Sequence, residues 1–306
     1  MIFLTGGTGL VGSYILMMLM QEKKKVKALR RPSSSLSSCQ KIFSYYQLDN
    51  LFSEIIWCEG DINDIPSLEE NMKGCDILIH AAALVSFQKS ELDELKKTNI
   101  EGTANVMNIA LSYNFNRCIY ISSVSTLGRD FYDQEVDEQS YFRSNKNISN
   151  YAFSKFFAEQ EVWRASNEGL NVIILNPSII LGPGNWDKGS SMIFQRIYNG
   201  LKFYSTGSSG YVDVYDVAKI TLLFLEKEIK NERYILNGTN ISFRKAFNKI
   251  ADELGVNRAT IKVTPFLKEL AWRLDQIKSV LTGRPSLLTQ ETANSAMKKV
   301  SYSSLK

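Results

Sequence analysis

Met1-Ile2-Phe3-Leu4-Thr5-Gly6-Gly7-Thr8-Gly9-Leu10-Val11-Gly12 is the stretch on which the fold turns. An apolar run of strand character comes first, and Gly6, Gly9 and Gly12 follow at once. From Ser13 to Glu22 nearly every face is apolar, as in a helix pressed between a sheet and further structure. Val26 to Leu29 then reads as a second short strand. Strand, glycine turn, helix and strand form the unit that a dinucleotide-binding turn requires. The glycines allow the tight turn, close backbone approach to a pyrophosphate and close helix packing, while the helix amino terminus supplies N–H groups and positive dipole. Thr8, Leu10 and Val11 complete this candidate cradle.

About twenty residues beyond the glycines, an acidic side chain usually selects NAD by bonding the ribose 2′-hydroxyl. Arg30-Arg31 stands there instead. A guanidinium matches a 2′-phosphate in charge and fork geometry, so NADP(H) is favoured and NAD(H) stays open.

Further apolar runs at Ile55–Cys58, Ile77–His80, Cys118–Ile121 and Val172–Leu175 read as strands. Helical stretches fall between them: a short one opened by Asn63, Asp64 and Pro66, one from about Glu91 to Tyr113, and one from Tyr151 to about Glu168. Ser33 to Ser38 reads as a loop. Strands alternating with helices imply an α/β fold, a Rossmann-type doubly wound parallel sheet. Past Pro177 the pattern loosens, with Ser242 a plausible N-cap for a helix from Phe243. The expected division is a dinucleotide-binding domain of residues 1–176 and 211–237, and a smaller, mainly helical substrate lobe of residues 177–210 and 238–306.

Tyr151 and Lys155 are four apart on a helix, which places them one above the other on the same face. An ammonium about 5 Å from a phenol at an effective dielectric of ~20 favours tyrosinate by roughly 3 kcal/mol, or about two pKa units. The pair is expected to act as a proton shuttle.

The 306 residues are 44% hydrophobic, enough for a sizeable core, and carry a formal charge of +4 without a basic block, which argues against nucleic acid. Cys39, Cys58, Cys75 and Cys118 have neither metal-site nor disulfide spacing. They read as reduced thiols of a soluble, cytoplasmic protein with no metal, and no apolar run approaches the ~20 residues that span a bilayer. The stripe Phe266, Leu267, Leu270, Leu274 and Ile277 reads as core or dimer surface, which leaves a homodimer open.

Thr5 to Gly12, Gly60-Asp61-Ile62, His80-Ala81-Ala82-Ala83, Asn99 with Gly102-Thr103, Ser122-Ser123, Tyr151-x-x-x-Lys155, Asn176-Pro177-Ser178 and Val214 to Ala218 occur in this order. Together they make the chain resemble the extended short-chain dehydrogenase/reductase superfamily, with most likeness to its dihydroflavonol-reductase and 3β-hydroxysteroid-dehydrogenase branch. The resemblance implies roles. Asp61 would bond the adenine amino group with the Ile62 backbone alongside, and Ala81, Ala82 and Ala83 would let the cofactor lie flat. Asn99 would hold active-site backbone and water near Lys155. Asn176, Pro177 and Ser178 would border the nicotinamide carboxamide, and Lys155 would also bind the ribose hydroxyls. Ser123, five residues before Gly128, would face Tyr151, with Ser122 its competitor. His80, the only histidine, reads as a packed residue of its motif.

The leading expectation is an NADP-linked oxidoreductase acting on a ketone, aldehyde or alcohol of a small molecule. Phe131, Tyr132, Tyr141 and Phe142, with Trp186, Met192 and Phe194, would wall a pocket for an apolar or ring-bearing substrate. A nucleotide-sugar epimerase or dehydratase is the second reading; Val124-Ser125 stands where such dehydratases place an Asp-Glu pair. A cofactor-binding sensor or assembly protein without chemistry is the third. The chain ends at Ser301 to Lys306 without the closing segment common in such proteins, which leaves a truncation open.

Overall fold

The computed structural model describes residues 1–128, 135–142, 148–282 and 289–306. Strand β1 (Ile2–Thr5) enters the glycine turn, and helix α1 (Leu10–Gln21) leads back to β2 (Val26–Arg30). Helices α2 (Ser37–Tyr45) and α3 (Asp49–Ser53) precede β3 (Ile56–Glu59), and α4 (Ile65–Met72) precedes β4 (Ile77–His80). A helical return of α5 (Leu92–Leu95), a π-helical turn (Lys96–Glu101) and α6 (Gly102–Ser112) leads to β5 (Arg117–Ile121). Helix α7 (Asn150–Asn167) feeds β6 (Val172–Pro177).

Next come β7 (Ile179–Leu181), α8 (Met192–Tyr198), β8 (Phe203–Tyr204), β9 (Ser208–Asp213), α9 (Val214–Glu226) and β10 (Glu232–Leu236). They are followed by β11 (Thr239–Ser242), α10 (Phe243–Glu253), β12 (Ile261–Lys262), α11 (Pro265–Thr282) and α12 (Gln290–Ser295).

Seven strands pair in parallel in the order β10-β6-β5-β4-β1-β2-β3, a Rossmann-type α/β sheet. Helices cover both faces. On one side α1 buries Tyr14 to Met20 and α9 buries Val214, Val217, Ala218 and Leu222 against the strands; on the other, α4, α6 and α7 bury Leu68, Met107, Ala158 and Val162. Each apolar side chain fully buried in this way contributes about 1.5–3 kcal/mol before chain entropy is counted. The register sets Thr5 beside His80 and His80 beside Tyr120, so the ends of β1, β4 and β5 form one ledge. Ligands bind at such a ledge.

Three local differences from the sequence expectation have physical reasons. The serine-rich segment is helical from Ser37, because Cys39, Ile42 and Phe43 share a face that docks on the α1 side of the core. The expected long helix before β5 carries a π-turn at Lys96–Glu101, with Asn99 buried inside it. Strand β9, expected partly within the dinucleotide half, instead joins β7 and β11 in a second, three-stranded sheet. Ser242 does cap α10, its side chain accepting from the Lys245 N–H.

Phe266, Leu270 and Leu274 on α11 are exposed; the Ile277 side chain lies outside the described residues. Among the described residues no helix is long and apolar enough to cross a membrane, and no group of His, Cys, Asp and Glu could hold a metal ion.

Candidate active site

The glycine turn is built as tightly as its sequence implies. Gly6 has φ +76°, and a Cβ there would lie 2.6 Å from the Ala81 backbone. A Cβ on Gly12 would lie 2.1 Å from the Gly6 carbonyl oxygen. Gly9 precedes α1 and offers no side-chain cap, so the first N–H groups of the helix face the turn that holds Thr8, Leu10 and Val11. Ala81 and Ala82 are half-buried and Ala83 is exposed, with Ala81 and Ala82 lying directly against the turn. The cradle that Cβ atoms would fill, beside small side chains, fits a dinucleotide.

At the end of β2, Arg30 is ion-paired with Glu59, and its Nε is buried without a partner. Arg31 is exposed. The two arginines, equivalent in sequence, are thus in different electrostatic states. Asp61 is half-buried, and its Oδ1 accepts from the Asn63 backbone N–H at 2.9 Å and side-chain amide at 3.1 Å. Ile62 is buried against Gly102.

Ser123 stands on the short helical turn after β5, where its Oγ accepts from the Ser125 N–H at 3.1 Å. It is the side chain that opposes the rise of the Tyr151 phenol. Ser122 points the other way, donating to Glu159 Oε2 at 2.5 Å. Tyr151 is brought into place by Ser149, which caps α7 through the Ala152 N–H, and its ring lies 5.6 Å from that of Phe87.

Lys155 is almost wholly buried and donates to Tyr120 Oη at 2.7 Å and the Ile121 carbonyl at 2.9 Å. Burial brings its amine down to about 7. Burial likewise pushes the Tyr151 phenol up to about 12, with Ser123 working against the rise. The lowering of Tyr151 expected from an adjacent ammonium is therefore not what this packing produces: desolvation outweighs it, and Lys155 spends two of its donors elsewhere.

Asn99 and Asn176 both hold backbone around the site. Asn99 bonds the backbone of Leu84 through both ends of its amide and donates to Ser154 Oγ at 2.9 Å, with no bond to Lys155. It pins the segment after Ala83 to α7. Asn176 is fully buried and donates to the Ser123 carbonyl, Thr126 Oγ1 and Glu159 Oε2. Its amide nitrogen is spent behind the Ser123 loop, while its Oδ1 has no partner. Pro177 and Ser178 are buried at the end of β6, with Ser178 Oγ unpartnered.

The sequence reading missed this support. Glu159 lies in α7 one turn beyond Lys155, is fully buried, and ties Ser122, Thr126 and Asn176 to Arg233 by hydrogen bonds and an ion pair. Its signal was a carboxylate on the same helix face as Tyr151 and Lys155.

The aromatic wall is only partly seen. Phe131 and Tyr132 lie outside the described residues. Tyr141 is exposed and Phe142 stacks on Phe156 at 4.0 Å. Trp186 stacks on Phe194 and lines a cleft of about 590 Å³ with Tyr14, Ser37, Ser38, Lys41 and Tyr45, on the α1–α2 side and away from Tyr151.

The model of the NAD dependent epimerase/dehydratase family matches residues 2–237. A putative dihydroflavonol 4-reductase of Synechocystis sp. (strain ATCC 27184 / PCC 6803 / Kazusa) is 30% identical over 93% of this chain and 82% of its own length. Cinnamoyl-CoA reductase 1 of Petunia hybrida is 27% identical over 76% of this chain and 70% of its own. The crystal structure of gox2253 superposes with a TM-score of 0.79 and 29% identity, covering 99% of this chain and 89% of that one.

Proposed function

The chain belongs to the NAD dependent epimerase/dehydratase family and is an NAD(P)-dependent enzyme acting on a small molecule; from that premise we propose that it is an NADP-linked reductase of a ketone or aldehyde. The same site would oxidise the corresponding alcohol in the reverse direction. One observation carries the chemistry: Ser123 is close enough to Tyr151 to oppose the rise of its phenol, and Lys155, buried, lies one turn farther along the same helix. Arg31, exposed at the end of β2, is the group that favours a 2′-phosphate.

Bound against the glycine turn and Ala81, the cofactor supplies or takes up a hydride. The protein's part is acid–base and electrostatic. Tyr151 gives its phenolic proton to the carbonyl oxygen while Ser123 donates a hydrogen bond to the same oxygen. Lys155 stabilises the resulting tyrosinate and holds the ribose hydroxyls. Glu159 and Asn176 fix the loop from which Ser123 projects.

An apolar or ring-bearing substrate is favoured by Phe87 beside Tyr151 and by the reductase relatives, whose names refer to dihydroflavonol and cinnamoyl-CoA. Denaturing extraction identifies any nucleotide that copurifies, and an NADPH-oxidation screen over ketones and aldehydes of graded apolar size tests the reaction. Normal NADPH binding with no turnover across that screen would favour a sensor role instead.

A further inference from the structure

The turn that carries Ser123 is held on two faces. Glu159 and Asn176 hold the polar one, through Ser122, Thr126 and the Ser123 carbonyl. The other face is apolar. The Thr126 N–H donates to the Ser123 carbonyl at 3.1 Å and the Leu127 N–H to the Val124 carbonyl at 3.2 Å, so Ser123 to Leu127 wind as one turn of 3-10 helix. Residues three apart eclipse in such a turn, which sets Val124 and Leu127 on the same side of it. Both are buried there in a cluster of their own with Val136, Ile235 and Tyr302, and Val300 packs against it.

Tyr302 reaches this cluster from a distant part of the chain and is almost wholly buried. A Cβ at Gly210 would lie 2.8 Å from its Cδ2, so the ring rests directly on β9. Side-chain amides grip its backbone. Its carbonyl accepts from Asn240 Nδ2 at 2.9 Å and from Asn237 Nδ2 at 3.1 Å, and its N–H donates to Asn240 Oδ1 at 3.0 Å. On either side of it, the Ser301 carbonyl accepts from the Val136 N–H at 2.9 Å, and the Ser303 N–H donates to the Val136 carbonyl at 2.8 Å. The Lys298 carbonyl accepts from the Ser208 N–H at 3.0 Å. Residues 298–303 thus run from the sheet of β7, β9 and β11 to Val136. The segment around Val136 is in turn tied to the Ser123 turn and to β10: the Gly128 N–H donates to the Ser140 carbonyl at 3.2 Å, and Glu138 Oε1 accepts from the Ile235 N–H at 2.9 Å.

We propose that Tyr302 is a positioning residue for Ser123, and that residues 298–303 are a clasp by which the three-stranded sheet fixes the turn bearing that serine. The proposal rests on the assignment of Ser123 to the reaction. Close-packed side chains transmit displacement because no slack absorbs it. Without the ring, the face made by Val124 and Leu127 loses its seat, and the turn loosens about the Ser123 carbonyl. The Ser123 hydroxyl is then no longer held where it meets the reacting oxygen. Its hydrogen bond strengthens as charge develops on that oxygen, so misplacement lowers kcat more than it raises KM.

Amide hydrogen exchange of the full chain reads the clasp without a substrate. The amides of Ser125, Thr126 and Leu127 close the turn. In Tyr302→Ala they should exchange at least ~10-fold faster than wild type, beyond any acceleration shared by β5 and α1, which reports lost global stability. Asn240 is exposed, so Asn240→Ala releases the Tyr302 backbone without opening the apolar cluster. It should act in the same direction, and it serves where Tyr302→Ala fails to fold. Tyr302→Phe keeps the ring and should restore most of the protection.

Turnover supplies the second reading. Tyr302→Ala should lower kcat at least ~10-fold, but by less than about twofold when Ser123 is already alanine, because a residue acting through Ser123 then has nothing to position. The proposal is overturned by exchange at Ser125 to Leu127 that is no faster than in β5 and α1, or by losses that add in the double variant. Ser123→Ala alone separates the two failures. At full turnover it removes the assignment of Ser123, and the positioning role with it. A crippled Ser123→Ala beside a fully active Tyr302→Ala removes the clasp alone.

Discussion

Arg30 and Glu59 stand opposite one another on β2 and β3 and form an ion pair, which leaves Arg31 as the exposed guanidinium at the end of β2. The first expectation concerns this asymmetry. Arg31→Ala should weaken NADPH binding roughly ten- to a hundredfold, the worth of about 1.5–3 kcal/mol for a charge-assisted phosphate bond, with NADH nearly unchanged. Arg30→Ala should do less, since its charge is already compensated. Calorimetric titration of both cofactors checks this, and equal NADH and NADPH affinities in the unmutated protein would count against it.

Tyr151→Phe removes the transferable proton and little else. Turnover should fall by at least ~100-fold, the usual worth of general acid catalysis, while cofactor affinity holds. Steady-state kinetics on any substrate found by the screen, beside fluorescence titration of NADPH, separates the two effects.

Glu159→Ala leaves the half-buried Arg233 without its carboxylate and removes the acceptor that Ser122, Thr126 and Asn176 share. Breaking a buried pair from one side costs about 3–5 kcal/mol. Urea denaturation should register that loss. Folded Glu159→Ala should also turn over more slowly, because Ser123 loses the frame behind its loop.

Two buried bases give stability a defined pH dependence. Lys155 falls from 10.5 to about 7, so between those values the unfolded chain binds the proton that the folded chain has released, and its contribution makes stability rise with pH through that window. Lys155→Met removes the contribution, and the variant's stability relative to wild type should be highest near about pH 6 and decline toward about pH 10. His80 is lowered from 6.5 to about 3, so stability is lost as pH falls between them. In His80→Gln that acid-side loss should shrink. Thermal melts of all three proteins across pH test both signs.

Gly12→Ala places a methyl 2.1 Å from the Gly6 carbonyl oxygen, a distance backbone cannot tolerate. Turn and helix must separate, at a cost of about 1–3 kcal/mol for an overpacked site. NADPH affinity should drop by at least ~10-fold, and an unchanged Kd would show that the turn does not hold the cofactor.

Much of the architecture was legible because its signals are local. The glycine turn, the short apolar strands and the Ser242 cap each depend on a few adjacent residues, and the parallel sheet follows from their alternation. Tyr151 and Lys155 were legible for the same reason, being one helical turn apart. What escaped depends on register and packing between distant segments. Nothing near Tyr120 in sequence says that its hydroxyl meets Lys155, 35 positions away. Nothing near Glu159 announces Arg233, 74 positions on. Nothing near Asn176 says that its amide nitrogen meets the Ser123 carbonyl, 53 positions away.

Strand β10 reaches the sheet only after the chain has travelled through β7, α8, β8, β9 and α9, and it then covers β6, all six of whose residues are buried. A fragment cut after Pro177 would strip that neighbour away and leave a row of unpaired amides and carbonyls on Val172-Ile173-Ile174-Leu175. Such an edge is a template for pairing with other chains. The sheet is therefore not separable at Pro177: residues 1–177 expressed alone should aggregate, and a fragment extended through Leu236 should remain dispersed.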